Sequence, residues 1–328
     1  MDIILNTFGV SLNRDNEGFV IVNQDGRQRI PALGIRSIQI GKGAQITSDA
    51  VMLAIDNEIE VVFTDRSGQP KGRIWSPKYG SISTIRKGQL AFTNSVEAVK
   101  WIKDVLAQKV SNQQALLLML PEPADTRLEN KLDSATNKLE DYRQKILQIP
   151  TNVIIDDVAS ALRGLEGSAS RIYFATISEF IPQAYKFEGR SQHPALDIFN
   201  ALLNYGYGIL YSRIEGELIK AGIDPYIGIL HRDEYNRPVL VYDVIELYRI
   251  WIDYVVCNLT FQQVITDEFY SIQSDGSYWL ETLGRKVLIQ SINDYLEEVI
   301  QVNGNSRSKA TQIQLFVQGL AQTFKKFQ

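Results

Sequence analysis

His231, Asp243 and Glu246 fall within one short run, HRDEYNRPVLVYDVIE, in a chain that holds only two histidines. The two carboxylates are three residues apart, so they share a face if the segment is helical. Imidazole plus carboxylates is a mixed N/O donor set, well suited to Mn²⁺ and acceptable to Mg²⁺. Zinc stays open, although no thiolate is near in sequence. If a third carboxylate converges on these groups, the site suits phosphodiester chemistry assisted by a divalent ion. Each residue also has a plainer reading. A histidine after an apolar run is often a hydrogen-bonded structural residue, and Glu246 has Arg249 three residues on as a surface ion-pair partner. His193, in the polar stretch SQHPAL, reads as exposed.

Glu166, in LRGLEGSASRIYF, is the candidate third carboxylate. Its apolar and glycine neighbours argue against a plain surface charge. The alternative is a first-turn helix acid favoured by the macrodipole. Arg163 and Arg171 bracket it, as ion-pair partners or phosphate ligands. Between Glu166 and His231 lies NALLNYGYGILYSRIEGELIKAGIDPYIG. Gly206 and Gly208 cost a helix about 1 kcal/mol each relative to Ala. Tight helix packing accounts for them, as does a backbone opening near ligand, with Asn204 and Tyr205 able to face a site.

The elements that must carry these residues change character near residue 90. Before it, residues 19–22, 35–40 and 59–64 read as strands, Asn23-Gln24-Asp25-Gly26 as a hairpin turn, and 48–57 as a helix. After it, the apolar period is helical: 93–119, 125–148, 152–181, 195–221, 239–260, 278–302 and 309–326. The fold class is therefore α+β. A small mostly-β domain spans 1–75, a basic linker 76–92, and an all-α domain holding the site 93–328. The short β strands leave edges able to pair with a second copy.

Hydrophobic content of 45% and charged content of 22% in 328 residues fit a globular protein of about two domains. The single cysteine, Cys257, rules out an intramolecular disulfide framework and a multi-cysteine zinc site, and fits a reducing cytosol. The N-terminal stretch has no basic n-region, so no signal peptide is expected, and no run reaches the ~18 apolar residues of a membrane span. Net charge is -4, which argues mildly against nucleic acid, but residues 65–87 hold one acid and six bases. Those bases are Arg66, Lys71, Arg73, Lys78, Arg86 and Lys87, with Trp75 and Tyr79 interleaved. The window is either a solvated loop or a phosphate-contacting surface.

Three segments in order, LEGSASRIYF, NALLNYGYGILYSRIEGELIKAGIDPYIGILH and VLVYDVIELYR, resemble the CRISPR-associated integrase of spacer acquisition. That family is the metal-dependent adaptation nuclease common to nearly all CRISPR systems. RIPALGIRSIQIGKGAQITSDAVMLAIDNEIEVVFTD is similar too, so the resemblance covers most of the chain. It implies metal ligands at Glu166, His231 and Glu246, with Asp243 as the supporting acid. Where the family often has Asp-Pro, this chain has Asp197-Ile198.

The resemblance further implies a cytoplasmic homodimer joined through the β domain, Mg²⁺ or Mn²⁺ as cofactor, and no membrane. Its partners would be double-stranded DNA, as protospacer and CRISPR repeat, and a small ferredoxin-like adaptation protein. The expected reaction is a transesterification in which the 3′-hydroxyl of a short duplex attacks a phosphodiester at the repeat edge. Arg163, Tyr205 and Arg237 are candidates for holding the strand, and Arg66, Lys71, Arg73 and Lys78 for its backbone. Two alternatives remain: a nuclease that hydrolyses branched or single-stranded DNA with the same ligands, and a catalytically silent DNA-binding scaffold.

Overall fold

The computed structural model describes residues 2–65, 68, 70–74, 82–232, 237–302 and 304–327. The chain divides into two compact units, Met1–Gly80 and Ser81–Gln328.

The first unit has two four-stranded sheets. One runs in the order β4 (Gly26–Pro31), β3 (Gly18–Asn23), β2 (Ser11–Asp15), β6 (Gln45–Ile46). The other runs β1 (Asp2–Leu5), β5 (Ser37–Ile40), β7 (Glu60–Thr64), β8 (Pro70–Ile74). Alternation decides which face is buried: DIIL turns Ile3 and Leu5 inward and SIQI turns Ile38 and Ile40 inward. Asn23 pairs with Gly26, so β3 and β4 form a two-residue hairpin where the turn residues predicted one. Leu12, Phe19 and Ile38 are fully buried at the core, covered by Ala50 and Leu53 of α1 (Ser48–Asp56).

The second unit is a helical bundle. Its helices are α2 (Ile82–Thr93), α3 (Val96–Leu118), α4 (Thr126–Gln148), α5 (Ile155–Phe180), α6 (Ile198–Lys220), α7 (Val239–Ile245), α8 (Arg249–Phe261), α9 (Thr282–Glu297) and α10 (Lys309–Lys326). Asp197 caps α6 by accepting the N–H of Asn200 at 2.7 Å, so the helix opens without the proline. α6 is buried on every side and shows no amphipathic stripe, as befits a central helix. A Cβ on Gly206 would lie 2.5 Å from Cγ2 of Ile252 in α8, so this glycine serves close helix approach.

Three expectations are corrected. The linker read over 76–92 gives way to α2 from Ile82 onward. Phe92 packs its ring 5.2 Å from Phe324 and 5.3 Å from Phe327, while Arg86 and Lys87 lie on the exposed face and make the segment look like a basic loop. The single helix over 239–260 is two. At the corner, Asn112 of α3 donates to the carbonyl of Leu247 at 3.0 Å, and the N–H groups of Leu247 and Tyr248 turn back to carbonyls three residues earlier. The helix over 278–302 keeps only its middle. Tyr278–Leu280 (β10) pairs with Tyr270–Ile272 (β9), and Val299–Val302 (β11) pairs with Asn305–Ser308 (β12). The β-branched residues Val299, Ile300 and Val302, followed by Gly304 at φ +77°, favour that hairpin over helix.

Candidate metal centre

Glu166 lies in the middle of the 26-residue α5, which rules out a first-turn macrodipole role. Glu246 sits at the α7–α8 corner and is 7% exposed. Between these carboxylates, which come from helices far apart in sequence, stands the ammonium of Lys109 on α3. It donates to Glu166 Oε1 and ion-pairs with Glu246 Oε2. Ser170 adds a hydrogen bond to Glu166 Oε1 at 2.9 Å, and Arg249 Nε donates to Glu246 Oε1 at 2.9 Å.

His231 is set by Asp243. The fully buried Asp243 carboxylate accepts the backbone N–H of Ile229 at 2.6 Å, of Leu230 at 3.2 Å and of His231 at 3.2 Å. Its Oδ1 also lies 2.8 Å from Nδ1 of the His231 ring. With Nδ1 engaged, Nε2 is the ring's remaining nitrogen for a ligand, the arrangement in which a carboxylate orients a metal-binding histidine. The turn depends on Gly228, where a Cβ would meet the His231 carbonyl oxygen at 2.1 Å.

The loop is also tied to the first and fourth helices of its unit. Gln89 of α2 donates to the carbonyls of Asp224 at 2.8 Å and Ile227 at 3.0 Å, and accepts the Asp224 N–H at 3.0 Å. Arg232 donates to Asp156 near the start of α5 at 2.9 Å and to the Thr93 carbonyl that ends α2.

Charge balance follows from this packing. Burial alone would raise the Glu246 pKa, but the charges of Arg249 and Lys109 outweigh it and hold the carboxyl at about 2. Burial would lower the Lys109 pKa, and the charges of Glu246 and Glu166 reverse that and raise it. Burial would likewise lower the His231 pKa, and the hydrogen bond and charge of Asp243, with a further contribution from Glu246, raise it above the usual imidazole value.

Among the described residues no group of three His, Cys, Asp or Glu side chains is arranged to hold a metal ion as it stands. The carboxylates close on the Lys109 ammonium instead. The donor set still fits a hard divalent ion. Two carboxylates already converge on one positive charge, and the imidazole is fixed by Asp243.

The remaining predicted residues are dispersed. Arg163 is exposed on α5, one turn before Glu166, with its Nε on the Ala159 carbonyl at 3.3 Å. Arg237 is exposed between the histidine loop and α7. Tyr205 is half-buried against the core. The tyrosine at the site is Tyr207, whose ring lies 4.7 Å from the Arg249 guanidinium and whose hydroxyl bonds Asp253. Lys71 pairs with Asp65 at 3.0 Å and Arg73 with Glu60, so both charges are partnered within the β unit. Arg66, Lys78, Trp75 and Tyr79 lie outside the described residues. His193 is exposed, as expected. The reading of the sequence missed Lys109, Gln89, Arg232 and Tyr207. A lysine amid apolar positions of α3 was the one available signal for the first of these.

Comparison with known proteins identifies the family of the chain. Residues 3–294 match the family described as CRISPR associated protein Cas1. A relative named CRISPR-associated endonuclease Cas1 1, from Archaeoglobus fulgidus, is 32% identical over 325 residues, covering 93% of this chain and 91% of its own. A casposase bound to integration product superposes with a TM-score of 0.82 at 20% identity, over 100% of this chain and 91% of that one. A Cas6-RT-Cas1–Cas2 complex gives a TM-score of 0.81 at 20% identity over 100% of this chain, which spans 35% of that longer chain. At those identities the two structures attest the fold. The resemblance drawn from the three sequence segments is borne out by the family match, and the chain belongs to the Cas1 family of CRISPR-associated proteins.

Proposed function

We propose that this chain is a divalent-metal-dependent DNA integrase of CRISPR adaptation, with endonuclease activity on the same site. The observation that carries the reading is the meeting of Glu166 and Glu246 on one positive charge, with the Glu246 charge also acting on an imidazole that Asp243 fixes. Family membership, the endonuclease name of the relative and the casposase fold support it.

Glu166, His231 through Nε2, and Glu246 would hold a Mg²⁺ or Mn²⁺ ion. Such an ion supplies Lewis acidity, lowering the pKa of an attacking hydroxyl and offsetting charge that develops on the phosphate. The chain's own groups do the rest. Asp243 holds the ring in one orientation and tautomer. Arg249 keeps Glu246 ionised across the working pH range. Arg163 and Arg237, exposed on α5 and beside α7, would contact phosphates flanking the scissile bond. The 3′-hydroxyl of a short duplex attacks the phosphodiester at the repeat edge, forming the new P–O bond as the old 3′-oxygen leaves. The partners in this reading are duplex DNA, a second copy of this chain joined through the β unit, and a small adaptation protein, as the Cas1–Cas2 assembly among the structural neighbours suggests.

The test is strand transfer of a short 3′-hydroxyl duplex into repeat-containing DNA with Mn²⁺ or Mg²⁺. Joined product from the wild type, abolished by EDTA and by Glu166→Ala or His231→Ala, is expected. Cleavage without any joined product would favour the hydrolytic nuclease, and binding without either would favour the silent scaffold.

A further inference from the structure

Lys109 and Gln113 are one helical turn apart on α3 and line the same small cavity beside Glu246. The ammonium lies at the cavity's carboxylate side, on Glu166 and Glu246. The Gln113 amide nitrogen donates to Ser170 Oγ at 3.4 Å. Ser170 has one hydroxyl proton, and it goes to Glu166 Oε1. A carboxylate cannot return it, so Ser170 can only accept from Gln113, which fixes the amide's orientation. Gln113 Oε1 is then a buried acceptor with no donor, on a residue 4% exposed. Native interiors rarely leave such an oxygen unpaired, and one in a site of exchangeable charge calls for an explanation.

We infer that Lys109 is a two-position counter-ion: its ammonium holds Glu166 and Glu246 together until a divalent ion takes the carboxylates, then swings one turn along α3 onto Gln113 Oε1. The inference rests on the metal-site reading above. It explains two observations together, the lysine standing where a ligand set should close and the unpartnered oxygen within the same cavity. A competing ammonium lowers apparent metal affinity in proportion to how fully it occupies the carboxylates. The waiting acceptor recovers part of that loss by giving the displaced charge a partner.

The experiment is Mn²⁺ binding by the full chain, read by electron paramagnetic resonance of free Mn²⁺, with no DNA present. Lys109→Met removes the competitor, and Mn²⁺ should bind about tenfold more tightly. Gln113→Met removes the acceptor at similar volume, and Mn²⁺ should bind about tenfold more weakly. In the double variant the Gln113 effect should vanish, because no ammonium remains to need the oxygen. Unchanged or weakened binding by Lys109→Met overturns the inference. If that variant does not fold, Gln113→Met alone decides, and unchanged affinity there overturns it. Glu246→Ala separates the two readings. If it binds Mn²⁺ as tightly as the wild type, the metal site itself is misassigned. If it loses Mn²⁺ while Lys109→Met gains nothing, only the counter-ion role fails.

Discussion

Nδ1 of His231 lies 2.8 Å from Oδ1 of Asp243, and that same oxygen accepts the backbone N–H of His231 at 3.2 Å. One buried carboxylate thus fixes both the direction of the ring and the fold of the loop that carries it. Ring and loop cannot be perturbed separately through Asp243, and its substitution should be felt in both protonation and stability.

The protonation consequence has a definite sign. An unfolded imidazole titrates near 6.5, and the His231 ring titrates higher because Asp243 outweighs the effect of burial. The pair's contribution to stability is therefore full below about pH 6.5 and is lost as pH rises through the raised folded value. A metal needs the neutral ring, so Mn²⁺ affinity should fall as pH drops through that same raised value. Asp243→Asn should move the midpoint of Mn²⁺ binding to lower pH. Mn²⁺ titrations from about pH 5.5 to about 9 check this, and an unmoved midpoint would contradict it.

Gln89→Ala should loosen the histidine loop from a distance. It removes three hydrogen bonds to the backbone of Asp224 and Ile227 from a residue with no exposure. Buried backbone groups left unpaired cost about 1–3 kcal/mol each where water cannot replace the partner. A stability loss of about 2–4 kcal/mol in urea unfolding is expected, with faster amide exchange at Ile229, Leu230 and His231. A smaller loss with unchanged exchange would show that the loop holds itself.

This dependence marks where the sequence stopped being legible. Residue type and spacing disclosed Glu166, His231, Asp243 and Glu246, because rare or mutually placed ionisable groups stand out against an apolar background. The strand-rich first unit and most helix positions were legible through alternation and period. What escaped depends on tertiary neighbours. Gln89 lies beside Arg86 and Lys87, and its helix looked like a basic linker. The α7–α8 break has no glycine or proline, and Asn112, on another helix, takes the Leu247 carbonyl there. Tyr205 and Tyr207 are equivalent in composition, but two positions on a helix turn them about 200° apart, and only Tyr207 lines the cavity.

Asp253, buried behind the site, predicts a second pH dependence. Tyr173 donates to it at 2.9 Å and Tyr207 donates as well, yet burial prevails and raises its carboxyl to about 6. A raised folded pKa means stability that is full below about pH 4 and is lost as pH rises through about 6. Two pKa units correspond to roughly 3 kcal/mol at most. Asp253→Asn should therefore gain on the wild type between about pH 4 and 6 and hold a constant difference above that. Chemical denaturation at a series of pH values reads the slope. A difference that does not vary with pH would show that Asp253 ionises freely in the folded chain.

Glu246→Gln should produce the opposite slope. The wild-type carboxyl is held at about 2 because Arg249 and Lys109 outweigh its burial. Its contribution is present above the unfolded value near 4.3 and disappears as pH falls toward 2. The glutamine variant should therefore lose less stability than the wild type over that acidic interval, while being less stable at neutral pH. There, the two buried cations Lys109 and Arg249 lose the carboxylate they share. The same variant should bind Mn²⁺ weaker by about tenfold or more, since losing a ligand costs no less than losing a supporting hydrogen bond. Neutral-pH stability and Mn²⁺ affinity that both match the wild type would mean that Glu246 is neither a counter-charge nor a ligand. A stability loss with full Mn²⁺ affinity would confine it to the ion-pair network of Lys109 and Arg249.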